Sequence, residues 1–131
     1  MRRQFNLRPE DEAELTEYGF AWETLQVGDA SWLLIHDYQI PSGYTVERAC
    51  LALQLPPSYP DVQLDMVYFH PALALKNAKA IGALTSLQLD GRTFQRWSRH
   101  RTGANPWRPG HDRIATHLLL IDTWLDREVT S

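Results

Sequence analysis

Five arginines, two tryptophans and two histidines fall between Asp90 and Asp112, in the run DGRTFQRWSRHRTGANPWRPGHD. Within it, Ser98, Arg99 and His100 set a hydroxyl, a guanidinium and an imidazole side by side. Serine is inert at neutral pH unless a base takes its proton or the incoming group is already activated. In extended backbone, residues two apart face the same side, so His100 is the nearest base for the Ser98 hydroxyl. Arg99 and Arg101 offer donors for a carbonyl or a developing oxyanion. Arg96, Trp97 and Arg101 complete a donor-rich, aromatic surface for a partner. The same residues support a structural alternative, in which arginines stack on Trp97 and Trp107 and pin a loop by cation–π contact. A third reading is single-stranded nucleic acid on the Arg and Trp side chains. It ranks last, because the run has no lysine and the chain as a whole is not basic.

Other reactive side chains carry less. Cys50, the single cysteine, lies mid-strand in ERACLALQL. A free cysteine in that setting is most often a small buried apolar side chain, so packing is favoured over a nucleophile. His36 and His70 are isolated, and His117 sits beside the apolar stripe of a helix as a half-buried histidine. No two histidines have helical ligand spacing with a carboxylate nearby, so neither a metal nor a cofactor is expected.

The 131 residues fit one domain, with residues 1–8 expected as a flexible tail. The net charge of −3 excludes a general electrostatic binder of nucleic acid. One cysteine excludes an internal disulfide and a cysteine-rich zinc site. There is no apolar run of membrane-spanning length and no signal-peptide core at the start, so a cytoplasmic, non-membrane protein is expected.

The elements that must position the arginine-rich run follow from pattern. A short helix is expected over Pro9–Tyr18, with proline early and carboxylates in its first turn. Strands follow over 20–27, 31–38, 44–55 and 64–69, separated by Gly/Pro turns. From Pro71 to His111 the periodicity fades and a long irregular crossover is expected, with at most one short strand in the arginine-rich run. Ile114, Leu118, Ile121 and Leu125 then mark an amphipathic helix reaching about Glu128, with Asp112 as its N-cap. Trp107 and Pro109 are expected to anchor the end of the crossover against the sheet or the C-terminal helix. This is an α+β order: a four-stranded antiparallel meander, an N-terminal helix, a long crossover and a C-terminal helix.

That order, with Ser58-Tyr59-Pro60, His70-Pro71 and Trp107-Arg108-Pro109 at its joints, resembles the ubiquitin-conjugating enzyme fold. There, Tyr-Pro follows the third strand, His-Pro-Asn the fourth, and Trp-x-Pro precedes a helix. More closely, the chain resembles the prokaryotic family E of these proteins. The match runs through Ile40–Tyr44, Leu55–Asp61, Gln63–Met66, His70-Pro71, Gln95–His100, Trp107–Gly110 and Ala115–Leu118, about Leu7 to Glu128 in all. Two departures stand out. Ala72 replaces the asparagine of His-Pro-Asn, and no cysteine occupies the catalytic position. Counting back from Trp107 by the family's usual spacing reaches Arg99 or Ser98.

The resemblance implies a bacterial ubiquitin-like modification pathway, with a ubiquitin-like modifier and an activating enzyme as partners. Two functions compete. In the first, the chain is a transferase that holds the modifier's C-terminus as an oxyester on Ser98, with His100 as base and Arg99 as oxyanion donor. In the second, it is a catalytically inactive binding module that positions a modifier for another protein.

Overall fold

The structure is a computed structural model describing residues 1–131. Two helices, α1 (Pro9–Glu17) and α2 (Ile114–Thr130), accompany six strands: β1 (Ala21–Val27), β2 (Ala30–Gln39), β3 (Arg48–Leu55), β4 (Val67–His70), β5 (Leu84–Leu89) and β6 (Arg92–Trp97). The strands form one antiparallel sheet in the order β1-β2-β3-β4-β6-β5. The sheet therefore has six strands rather than the four expected.

The two additional strands come from the segment expected as irregular crossover. Asp90 and Gly91 have φ of 54° and 71° and close a two-residue hairpin turn between β5 and β6. Left-handed backbone at both central positions matches the natural strand twist, and Asp-Gly adopts it readily. Strand β6 then pairs with β4, Val67 against Trp97 and Phe69 against Gln95. The arginine-rich run is thus strand up to Trp97 and loop only beyond it.

The strand alternation divides the apolar residues between two faces. One face carries Leu33, Ile35, Leu51, Leu53, Phe69 and Trp97, covered by Leu15 of α1 and by Ile114, Leu118, Ile121, Trp124 and Leu125 of α2. The other carries Leu25, Trp32, Leu34, Cys50, Ala52, Tyr68, Leu89 and Phe94, all buried with no helical residue among them. The Arg2 guanidinium reaches Asp90 at 2.7 and 2.8 Å, joining the β1 end of the strand order to the β5–β6 turn.

Residues 1–8, expected as a tail, instead lie along β1. Arg3 bridges to Thr24, Gln4 N–H donates to Thr24 O, and Thr24 N–H donates to Arg2 O. Leu7 is buried in the core, and the Arg3 guanidinium lies 3.4 Å from the Trp22 ring centroid. Helix α2 begins one residue later than expected. Its N-cap is Arg113, whose N–H donates to Thr116 Oγ1, while Asp112 accepts from Arg108 N–H at 2.7 Å. Strand β3 begins at Arg48 rather than Tyr44. The chain before it turns through Gly43, where a β-carbon would meet Val129 Cγ1 of α2 at 2.8 Å.

Candidate functional site

The joints of the chain meet around Tyr59. Its hydroxyl donates to Asp11 Oδ2 at 2.9 Å and accepts from Ile114 N–H at 2.9 Å, tying α1 to the first turn of α2. Helix-start N–H groups have no partner within the helix, so this bond satisfies one of them from outside. Trp107 packs edge-on against Tyr59, with ring centroids 6.3 Å apart, and its indole N–H donates to Pro60 O. Trp107 therefore does anchor the end of the crossover, but onto the Tyr-Pro turn. Pro109 is exposed.

Strand β6 feeds the candidate segment. Trp97 is wholly buried, 5.7 Å from the Phe69 ring and 6.4 Å from Tyr44. It is a core residue, buried rather than on the surface expected to meet a partner. Gln95 accepts from the Trp97 indole and from Leu73 N–H, and donates to Leu73 O, which fixes the chain that follows His70-Pro71. Arg96 projects to the helix-free face, where its Nε–H meets Met66 Sδ; it has no carboxylate partner.

Beyond Trp97 the chain stays bonded on both sides. Ser98 N–H donates to Ala83 O at 3.0 Å, and Met66 N–H donates to Arg99 O at 2.9 Å. Arg99 stacks over Trp97 at 4.9 Å and donates to Gly82 O, Ser98 O and Glu128 Oε1. Three of its five N–H donors are thereby engaged. Arg101 stacks over Trp107 at 4.8 Å, with its side chain only 4% exposed. The stacking alternative is thus realised at both tryptophans, and Arg101 is buried rather than displayed to a partner.

Ser98 is half-buried and its hydroxyl makes no hydrogen bond within the protein. His100 is largely exposed, with Nδ1 3.8 Å from Asp65 Oδ1. No hydrogen bond joins it to Ser98, so transfer of the Ser98 proton to His100 requires rotation of the imidazole or a bridging water.

Beneath this segment lies a buried polar set that the sequence did not announce. Arg101 Nε and Nη2, Asp65 Oδ1 and His117 Nδ1 are all buried without a partner. His117 is fully buried, not half-buried, and its Nε2–H donates to Met66 O at 3.0 Å. Burial pushes its pKa down to about 4, against the opposing effect of the Met66 carbonyl. Asp112 lies 3.8 Å from Arg101. Burial pushes its carboxyl up, but the Arg108 N–H, Thr116 and Arg101 together hold it low.

Cys50 stands elsewhere. It pairs with His70 at one end of β4, whereas Ser98 follows Trp97, the partner of Val67 at the other end. It is buried as expected, and burial pushes its thiol up despite Arg92 Nη2 at 3.9 Å. Around it, Arg2 and His36 both reach Glu23. Burial raises the Glu23 carboxyl, and those two hydrogen bonds outweigh it and hold it low. No local signal in the sequence marks this group, since Arg2 and Asp90 are 88 residues apart.

A family model described as prokaryotic E2 family E matches residues 7–128. No curated protein and no solved structure matches the chain. No helix is long and apolar enough to cross a membrane.

Proposed function

Because the chain belongs to the prokaryotic E2 family E, a family of ubiquitin-conjugating-enzyme-like proteins of prokaryotic ubiquitin-like pathways, we propose that it accepts the activated C-terminus of a ubiquitin-like modifier on Ser98. The observation that carries this reading is the contrast between two side chains. The only thiol is buried in the sheet with its pKa raised. Ser98 is half-buried with its hydroxyl unbonded, one residue past the strand that follows the Asp-Gly turn. In the transfer, Ser98 Oγ attacks the thioester carbonyl carried by the activating enzyme. A C–O bond forms and the C–S bond breaks. The thiolate leaves with the enzyme, and the serine proton passes to His100 after it turns from Asp65. Arg99 holds the segment in register through Gly82 and Glu128, and its two unengaged N–H donors are the ones left for carbonyl charge. Arg96 and Arg101 flank the acceptor.

A second reading is favoured by a specific observation: Arg99 is largely committed within the fold and His100 faces Asp65. On that reading the chain binds a modifier and positions it without accepting it. Incubation with the activating enzyme, modifier and ATP separates the two. The acyl-carrier reading expects an adduct that survives thiols, yields to hydroxylamine, maps to Ser98 and vanishes in Ser98→Ala. An adduct that persists in Ser98→Ala removes the assignment. No adduct in the wild type leaves the binding module.

A further inference from the structure

A cleft of about 420 Å³ opens on the helix-free face of the sheet, where the Val62–Met66 segment meets β3, β4 and β6. Tyr68 of β4 and Arg96 of β6 are direct cross-strand neighbours in it, and Gln54 comes from β3, on the opposite side of β4. Tyr68 is only 6% exposed, its ring edge-on to Trp32 with centroids 4.9 Å apart. Its hydroxyl makes no hydrogen bond within the protein, although a buried tyrosine ordinarily finds a partner for that group. Burial raises its pKa and the nearby Arg96 charge opposes the rise, so at neutral pH it is an uncharged O–H donor. Arg96 gives its Nε–H to Met66 Sδ, and the N–H groups of Nη1 and Nη2 have no acceptor in the protein. A guanidinium without a carboxylate, beside an unbonded hydroxyl in a concave site, is a receptor for an anion.

Charge decides which anion. Among the residues around the cleft only Arg96 and Asp65 are charged. Asp65 does not neutralise Arg96. One of its oxygens accepts from Gln63 Nε2 at 2.9 Å, and the other is buried 3.8 Å from His100 Nδ1. A dianion such as phosphate would gain one cation and still face this carboxylate, which disfavours it. A monoanion matches the single cation. A planar carboxylate also matches the two-pronged guanidinium, with the Tyr68 O–H as a further donor. Val62 and Met66 offer apolar contact for a short hydrocarbon body, since the Val62 side chain is exposed at the rim.

We propose that this cleft binds a monocarboxylate carried on a short apolar body, with Arg96 and Tyr68 holding the carboxylate. The site stands apart from the acyl-carrier reading, because neither Ser98 nor His100 lines the cleft.

The test is a titration of the full chain, isotope-labelled for amide NMR, with isovalerate at neutral pH. Isovaleramide and inorganic phosphate are the controls. Isovalerate should shift the resonances of Met66, Tyr68, Arg96 and the Gln54 side-chain amide, with a Kd of about 1 mM. The amide and phosphate should each bind at least about tenfold more weakly. Arg96→Gln should weaken isovalerate about tenfold and leave isovaleramide unchanged. Tyr68→Phe keeps the ring against Trp32, loses only the hydroxyl, and should weaken isovalerate about three- to fivefold. Spectra of both variants away from the cleft should match the wild type, and Tyr68→Phe carries the test alone if Arg96→Gln does not fold. Shifts confined to residues outside the cleft overturn the proposal. So do equal binding of isovaleramide or phosphate, full binding by Tyr68→Phe and a folded Arg96→Gln, or no shift at about tenfold the expected Kd. An N-acetylated Ala-Val-Val tripeptide with a free C-terminus then separates two sources of the carboxylate. Tighter binding than isovalerate assigns the cleft to a peptide terminus, and weaker binding assigns it to a free small acid.

Discussion

The two edges of the sheet are treated in opposite ways. At β1, the N-terminal segment satisfies the outward groups of Thr24 and Gln26 through Arg2, Gln4 and the Gln4 side chain. At β5, Leu84, Ser86 and Gln88 face outward with nothing against them. Yet the two strands are comparably anchored through their inner sides. The β5–β6 hairpin is held by Trp97 and Phe94, both wholly buried on opposite faces of the sheet. An uncovered edge on a well-anchored hairpin is a stable template for pairing, whereas a covered edge is closed to it. The difference separates strength of attachment from availability, and the candidate acceptor Ser98 lies at the available side.

Variants can break or sharpen this contrast. The largest effect is expected from Trp97→Ala, which hollows the anchor of the hairpin. It should cost about 3–5 kcal/mol in denaturant unfolding. A much smaller loss would mean that the hairpin holds without its buried ring.

Acid should weaken the same side. Protonated His117 is disfavoured in the folded state, where its pKa is about 4, relative to the unfolded chain near 6.5. The unfolded state therefore binds more protons in this window, and stability falls as pH drops from about 6.5 toward 4, by up to about 3 kcal/mol. His117→Gln should flatten that slope in unfolding curves taken across the range. An unchanged slope would assign it to other groups.

A milder change should loosen only the covered edge. Thr24 is fully buried, and its hydroxyl donates to Phe5 O and accepts from Phe5 N–H. Thr24→Val keeps the shape and removes both bonds, for a loss of about 1–2 kcal/mol. Hydrogen exchange at Gln26 should then quicken while β5 is unaffected. If β5 amides change equally, the two edges are coupled through the Arg2–Asp90 contact.

The smallest effect on stability is expected at the free edge. Gln88→Lys sits on an exposed position and should shift unfolding by less than about 0.5 kcal/mol.

Pattern and motif alone determined the frame of this protein. The stripe Ile114, Leu118, Ile121 and Leu125 identified α2, and all four side chains are buried. The first four strands were legible from their alternation, with ends displaced by a few residues, because half-buried strands must alternate. Cys50 was readable as a packing residue for the same reason. The joints at Tyr59-Pro60, His70-Pro71 and Trp107-Arg108-Pro109 carried the family. The β5–β6 hairpin was equally local, since Asp90-Gly91 between apolar alternations is its signal, and the density of arginines obscured it.

Only the tertiary structure decided which arginines are free. Sequence gives a guanidinium its type but not its distance from a carboxylate. Arg99 meets Glu128 from 29 residues away, and Arg2 meets Asp90 from 88. Those pairings depend on how the sheet curls and where α2 lies across it. The same holds for Trp97, whose amphipathic ring fits a partner surface or a core equally well until the neighbours are fixed. Edge status is likewise a property of strand order. Leu84–Leu89 forms a strand in the structure, and it is a free edge because β6, its only neighbour, pairs on its other side with β4.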